Sequence, residues 1–176
     1  VLNRWQYTNA EKGWVSFINV RYMKDEKQTG ELDFDANRDK GTTNFWGSEI
    51  NTERVDVSTK IGYVFPNMPY QSIGFQNAFT SHKQDSYFGL NDYQIAQKSF
   101  YSNLILNSII NNTKNRFATG LNFTYDDYNE YLIVPNSTGN FDRIDTNIGA
   151  FVEYTYDNTD DFSLVAGFRI DNNNRL

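Results

Sequence analysis

"RFATGLNFTYDD", residues 116–127, decides the fold of this chain, because apolar and polar side chains alternate through it almost without interruption. A β-strand points successive side chains to opposite faces, so this alternation predicts a strand with one apolar and one polar face. The apolar side carries Phe117, Thr119, Leu121, Phe123 and Tyr125, and the polar side carries Ala118, Gly120, Asn122, Thr124 and Asp126. The fold then depends on whether the apolar face contacts a protein core or lipid.

The same period of two recurs along the chain, whereas helical periodicity is scarce. We predict an all-β, antiparallel fold of about eight strands. The predicted strands are 2–8, 14–24, 54–65, 71–87, 94–110, 116–130, 143–156 and 162–171. Several exceed the roughly 5–6 residues typical of sandwich strands and reach the roughly 9–11 that a tilted strand needs to cross a bilayer.

The connections between these strands alternate in length. "NAEKG", "PNMPY", "NNTKN" and "DNTDD" are short and rich in turn residues, whereas 25–53, the tip 86–93 and 131–142 are longer and polar. Short turns at one end and long loops at the other are typical of transmembrane barrels. Aromatic residues, 16% of the chain, gather toward strand ends, as they do at membrane interfaces. The pattern therefore favours lipid as the neighbour of the apolar face, with Lys60 and Arg169 among the residues facing the lumen.

Composition excludes several other classes of protein. The net charge of −6 disfavours nucleic acid as a partner, and the absence of cysteine excludes a disulfide framework and thiolate chemistry. His82 is the only histidine, and no spacing nominates a catalytic partner for it, so we predict that the chain is not an enzyme. The chain begins and ends in mid-pattern, and we expect a processed chain or a piece of a longer one.

Three long stretches resemble a known family. They are "GYVFPNMPYQSIGFQNAFTSHKQDSYFG", "KSFYSNLILNSIINNTKNRFATGLNFTYDD" and "GAFVEYTYDNTDDFSLVAGFRIDNNNRL". Their succession of strand-like and turn-like segments resembles the barrel of TonB-dependent outer-membrane receptors of the Bacteroidetes type. The resemblance extends through essentially the whole chain, but it includes no short catalytic signature.

The resemblance implies a location, a function and partners. Residues 1–176 would be a segment of an outer-membrane barrel of about 22 strands, closed by a plug domain outside this chain. Such receptors import a scarce nutrient, such as an iron chelate, cobalamin, a metal or a glycan, and draw energy from the TonB complex through the plug. Outer-membrane lipid, the TonB complex and a surface lipoprotein would be the partners.

Two other architectures remain open at this point. A complete, small eight-stranded barrel suits the length and the strand count, although the first predicted strand is short. A soluble β-sandwich that binds a ligand could use Trp5, Trp14 and Trp46 as stacking platforms.

Ligand contacts are expected mainly from loop aromatics. Phe45, Trp46, Tyr87, Phe88 and Tyr93 are the candidates for external contacts, and His82 is a candidate on the lumen side.

The longest predicted loop, 25–53, contains a candidate calcium site. Asp33, Asp35, Asn37 and Asp39 alternate in "DFDANRDKG" as the first ligands of an EF-hand loop do. The pattern then departs from that motif, because Arg38 replaces the turn glycine and Asn44 the bidentate glutamate. We expect this loop to be the outermost and most mobile part, unless calcium or a lipoprotein docked on Phe34, Phe45 and Trp46 holds it.

Overall fold

Nine antiparallel strands form one continuous sheet in the computed structural model, which describes residues 1–158 and 161–175. The elements are β1 (Leu2–Asn9), β2 (Trp14–Gly30), α1 (Ala36–Asp39), β3 (Gly47–Val64), β4 (Ser72–Phe88), β5 (Asn91–Ile110), β6 (Asn112–Val134), β7 (Ser137–Asn140), β8 (Arg143–Asn158) and β9 (Phe162–Asn173). The strands lie in the order β1-β2-β3-β4-β5-β6-β8-β9, and the short β7 pairs with the end of β6. The predicted all-β antiparallel fold is confirmed. Two residues of the predicted turn "DNTDD", 159 and 160, lie outside the described residues.

The register of the strands separates an apolar face from a polar face. Residues directly opposite one another on neighbouring strands share a face. One such row consists of Ile61, Phe75, Leu104, Leu121 and Ala150. The row beside it consists of Lys60, Gln76, Asn103, Asn122 and Gly149 and lies on the opposite face. The alternation first seen in residues 116–127 therefore extends across the whole sheet.

The apolar face is exposed. Leu121 is 56% exposed and Phe168 is 67% exposed, whereas Asn122 on the polar face is only 8% exposed. Among the described residues Tyr87 is the only buried large hydrophobic side chain, so no apolar core lies between packed layers. From Phe117 to Tyr125 the apolar stretch of β6 is roughly 27 Å long, and a tilt of about 40° gives it a height of roughly 21 Å, near the roughly 25 Å band of transmembrane barrels.

This topology contradicts both alternative architectures. Within the described part of the chain there is one sheet, so the second sheet that a sandwich needs is missing. β1 and β9 lie at opposite edges and do not pair, so the strands do not close into a small eight-stranded barrel. Residues 1–158 and 161–175 also contain no helix that is long and apolar enough to cross a membrane.

The predicted long connections are the main error in the strand boundaries. Residues 25–53 were expected to form one loop, but β2 continues to Gly30 and β3 begins at Gly47, so the connection is only 31–46. Charged side chains occupy both faces of these extensions. Apolar and polar residues therefore do not alternate there, and the sequence pattern does not predict a strand. Lys24 pairs with Glu26 at 2.7 Å and Lys27 with Asp25 at 2.8 Å, along opposite faces of the strand.

The other two predicted long connections are also shorter than expected. β4 ends at Phe88 and β5 begins at Asn91, so a two-residue turn replaces the predicted tip 86–93. The predicted loop 131–142 contains the end of β6 and the whole of β7. The polar ends of the sheet are therefore extended hairpins.

Candidate functional site

Residues 31–46 fold into a defined flap at the end of the β2–β3 hairpin. The carboxylate of Asp39, only 1% exposed, accepts hydrogen bonds from the backbone N–H of Asp35 at 2.9 Å and from the guanidinium of Arg38. Arg38 also donates to the backbone oxygen of Asp33 at 2.7 Å, and Asp35 caps the short helix α1 through the N–H of Asn37. The hydrogen bonds from Arg38 hold the pKa of Asp39 below its usual value. These contacts give the flap an internal structure, contrary to the expectation of a loop that only an external clamp could hold.

The flap is attached to the sheet through two aromatic contacts. Phe34 packs on the paired Gly30 and Gly47, and a Cβ on Gly47 would lie 2.2 Å from the ring of Phe34. The ammonium of Lys40 lies 4.4 Å from the centre of the Tyr87 ring. Tyr87 was a candidate for external contacts, but it is only 3% exposed beneath the flap. Burial, together with the charge of Glu49, raises the pKa of its hydroxyl.

Three other candidates gather at the outer rim. Phe45, Trp46 and Phe88 line a cleft of about 360 Å³ together with Leu90, between the flap and the β4–β5 turn. Trp46 is 49% exposed and Phe88 is 40% exposed, so both can contact a molecule from outside. We call these four residues the rim cleft.

The remaining two candidates lie on the polar face. His82 lies between Arg54 of β3 and Gln97 of β5 in the register, and its Nδ1 is buried without a hydrogen-bond partner among the described residues. Tyr93 lies further along the same face, opposite Ser86, whose hydroxyl donates to the Tyr93 backbone oxygen at 3.0 Å. The predicted placement of His82 on the lumen side agrees with the register. Tyr93 was expected in a loop, but it lies within β5 on the polar face. The six candidates therefore occupy three separate places.

The arrangement of the four predicted calcium ligands does not test the calcium hypothesis. Within residues 1–158 and 161–175, no three Asp, Glu, His or Cys side chains are grouped closely enough to share a metal ion. The Asp39 carboxylate is already bound by Arg38, and that of Asp35 caps α1. Calcium binding by Asp33, Asp35, Asn37 and Asp39 stays a prediction.

Sequence reasoning missed a polar-face network formed by distant residues. Arg143 lies 3.9 Å from the centre of the Tyr128 ring and bonds Glu130 at 2.7 Å, while Arg54 bonds Asp56, which also accepts from Thr80 at 2.7 Å. The Arg54–Asp56 pair is local to one strand, but no local signal identifies Glu130 as a partner of Arg143 or Thr80 as a partner of Asp56, because the strand register brings these residues together.

Replacement of Asp39 by Asn should open the flap. The neutral amide loses the charge-assisted bonds to Arg38, so we expect protease cleavage within 31–46 to rise several-fold. The matched control is Asp33→Asn, because Arg38 contacts only the backbone oxygen of Asp33. Equal cleavage of both variants would show that the buried carboxylate does not hold the flap.

Lowering the pH should have the same effect on the unmodified chain. The pKa of Asp39 is lowered in the folded state. The ionised carboxylate therefore stabilises the closed flap fully above the ordinary aspartate pKa of about 3.9, and this stabilisation is lost as the pH falls through the lowered pKa. We expect an acid protease to cleave 31–46 faster at pH 2 than at pH 5 relative to an unstructured substrate. A constant ratio would contradict this assignment.

Chelation separates the calcium hypothesis from closure by Asp39. If calcium binds at 33–39, EGTA should increase cleavage within 31–46 at neutral pH and leave the strands intact. Equal cleavage with and without EGTA excludes calcium as the clamp and leaves the Asp39–Arg38 pair as the cause of closure.

Comparisons with known proteins identify the architecture. No protein-family model matches the chain, and no curated protein matches it in sequence. The chain is similar to the solved structure of the alcaligin outer membrane receptor FauA from Bordetella pertussis, with a TM-score of 0.70 and 11% identity. The similarity covers 97% of this chain and 27% of that one, so the chain spans about a quarter of that receptor's length. The fold is that of a barrel segment from an outer-membrane receptor, and a structure from Bordetella gives no support to the Bacteroidetes type.

Proposed function

We propose that this chain is part of the barrel wall of a TonB-dependent outer-membrane receptor that imports a scarce nutrient. One observation carries the proposal: a single sheet presents an exposed apolar face of roughly 21 Å on one side and a polar face on the other. A membrane-spanning barrel needs this division, because lipid contacts its outside and water or a plug fills its inside. The likeness to a barrel segment of an outer-membrane receptor supports the same assignment.

The two free edges of the sheet fit a segment of a larger wall. Unpaired N–H and C=O groups cannot remain along β1 and β9 inside a membrane, so further strands must pair with them. In the proposed receptor these strands come from outside the present sheet, and a plug domain provides the link to the TonB complex.

Transport and binding, not catalysis, are the proposed activities. The nutrient is an iron chelate, cobalamin, a metal or a glycan. The Bacteroidetes type of receptor is part of the proposal, and only the pattern of strands and turns in the sequence supports it. The rim cleft, with its exposed Trp46 and Phe88, is the proposed contact surface for incoming ligand or for a surface lipoprotein.

Cell fractionation and uptake together test the proposal. The full-length protein should fractionate with outer membranes, remain there after washing with alkaline carbonate, and support growth on one limiting nutrient of the four classes. A protonophore should stop that uptake, because TonB-linked import needs an energised inner membrane. Recovery of the protein in a soluble fraction, or uptake that is unaffected by the protonophore, would contradict the proposal.

A further inference from the structure

Cationic side chains outnumber carboxylates on one half of the polar face. On β1–β3 this face carries Arg4, Arg21, Arg54 and Lys60, which we call the basic patch. Asp56 is the one carboxylate between these cations, and the next carboxylate along this face, Asp25, is already paired with Lys27 at 2.8 Å. In a chain of net charge −6, this local excess of positive charge runs against the overall composition. From Arg54 to Lys60 the patch is roughly 20 Å long along the strand.

Asp56 does not neutralise the patch. It is bound by Arg54 at 2.9 Å and by the hydroxyl of Thr80, and it lies directly opposite Arg21 in the register. The Arg21 guanidinium nevertheless makes no ion pair among the described residues, and its nearest polar contact is the Met23 sulfur at 3.7 Å. One carboxylate therefore lies between two guanidiniums and bonds only one of them.

Arg4 and Lys60 also lack a carboxylate partner in the described part of the chain. The guanidinium of Arg4 lies 4.6 Å from the centre of the Phe17 ring, and the ammonium of Lys60 lies 6.0 Å from the same centre. Two cations on one aromatic ring leave the hydrogen-bond donors of both free.

The other half of the face is arranged differently. Arg143 pairs with Glu130, Arg169 with Asp171 and Arg116 with Asp157. The cations there are neutralised within the sheet, so incomplete pairing is a property of the basic patch and not of the polar face in general.

His82 provides an independent sign that the patch is incomplete. It lies directly opposite Arg54, at the border of the patch, and its buried Nδ1 has no hydrogen-bond partner in residues 1–158 and 161–175. A buried polar atom without a partner is costly, so polar interactions at this border of the patch are incomplete.

We propose that the basic patch binds a small polyanionic solute, one that carries two or more carboxylate or phosphate groups. This inference rests on the proposed function, in which the polar face lines the lumen. Guanidiniums bind carboxylate and phosphate in two parallel hydrogen bonds, and Arg4 and Arg21 have donors free for this contact. The opposite half of the face, rich in carboxylates, repels the same solute and directs it toward β1–β3.

Calorimetric titration of the full-length protein in lipid nanodiscs tests the proposal with a defined probe. Tricarballylate, a small tricarboxylate, should bind at low salt, and its uncharged triamide should not. Lys60→Gln and Arg21→Gln should each weaken tricarballylate binding by about tenfold, the loss typical of a charge-assisted hydrogen bond. Lys60→Arg keeps the charge and should retain affinity.

The matched control is Lys98→Gln, which removes the same charge from the opposite face of the sheet. It should leave tricarballylate binding unchanged. Equal weakening by Lys98→Gln, or equal binding of the triamide, would overturn the proposal. Inserted protein that binds no tricarballylate would also overturn it while leaving the barrel-wall function intact, and an acidic segment of the same protein would then be the occupant of the patch. Failure of the protein to insert into nanodiscs would overturn both.

Discussion

Leu121→Arg should cost about 2–4 kcal/mol of folding free energy in a bilayer, the range for a cation near the membrane midplane on the lipid face of a barrel. Leu121 lies in the middle of the apolar stretch of β6 and is 56% exposed, so in the proposed barrel its side chain contacts lipid. Urea unfolding of the full-length protein, refolded into phospholipid vesicles, measures the change directly.

Thr124→Arg is the control for this substitution. Thr124 lies on the same strand but on the polar face, opposite Tyr101 and Asn147, where a cation meets water and other polar groups. We expect it to cost less than about 1 kcal/mol, as a surface substitution does. Equal costs for the two variants would mean that the face of Leu121 does not contact lipid.

The faces of the sheet could be predicted from the sequence because they depend on local alternation alone. Phe117, Leu121 and Phe123 occupy the predicted side, and Asn122 occupies the other. The ends of the hairpins could not be predicted in this way. Above the apolar band both faces meet polar surroundings, so strand residues there need not alternate between apolar and polar. Asp25 and Lys27 were therefore predicted as loop although they form strand.

The candidate site was less accessible to prediction, since it depends on contacts between distant residues. The phase of β4 placed His82 on the polar face, but nothing local shows that Arg54 and Gln97 flank it. Tyr87 was expected at a loop tip because residues 86–93 were predicted as a connection between two strands. Its burial depends on Lys40, which arrives from the flap.

Gly13→Ala should produce the second large loss of stability. Gly13 ends the β1–β2 turn at φ +73°, where a Cβ would lie 1.9 Å from the backbone oxygen of Val64. Val64 donates its N–H to the Gly13 oxygen at 2.8 Å, so the two backbones cannot separate without loss of that bond. We expect a cost of about 2–3 kcal/mol, the sum of about 1–2 kcal/mol for a left-handed alanine and about 1 kcal/mol for the hydrogen bond.

Gly41→Ala separates these two contributions. Gly41 has nearly the same backbone angle, φ +72°, but no atom lies within 4 Å of the position of its Cβ. The same unfolding measurement should therefore show only the left-handed cost of about 1–2 kcal/mol. If the two variants lose equal stability, the β1–β2 turn does not pack against the end of β3 as described. A larger loss for Gly13→Ala means that close approach of two backbones, and not the φ angle alone, requires glycine at this end of the sheet.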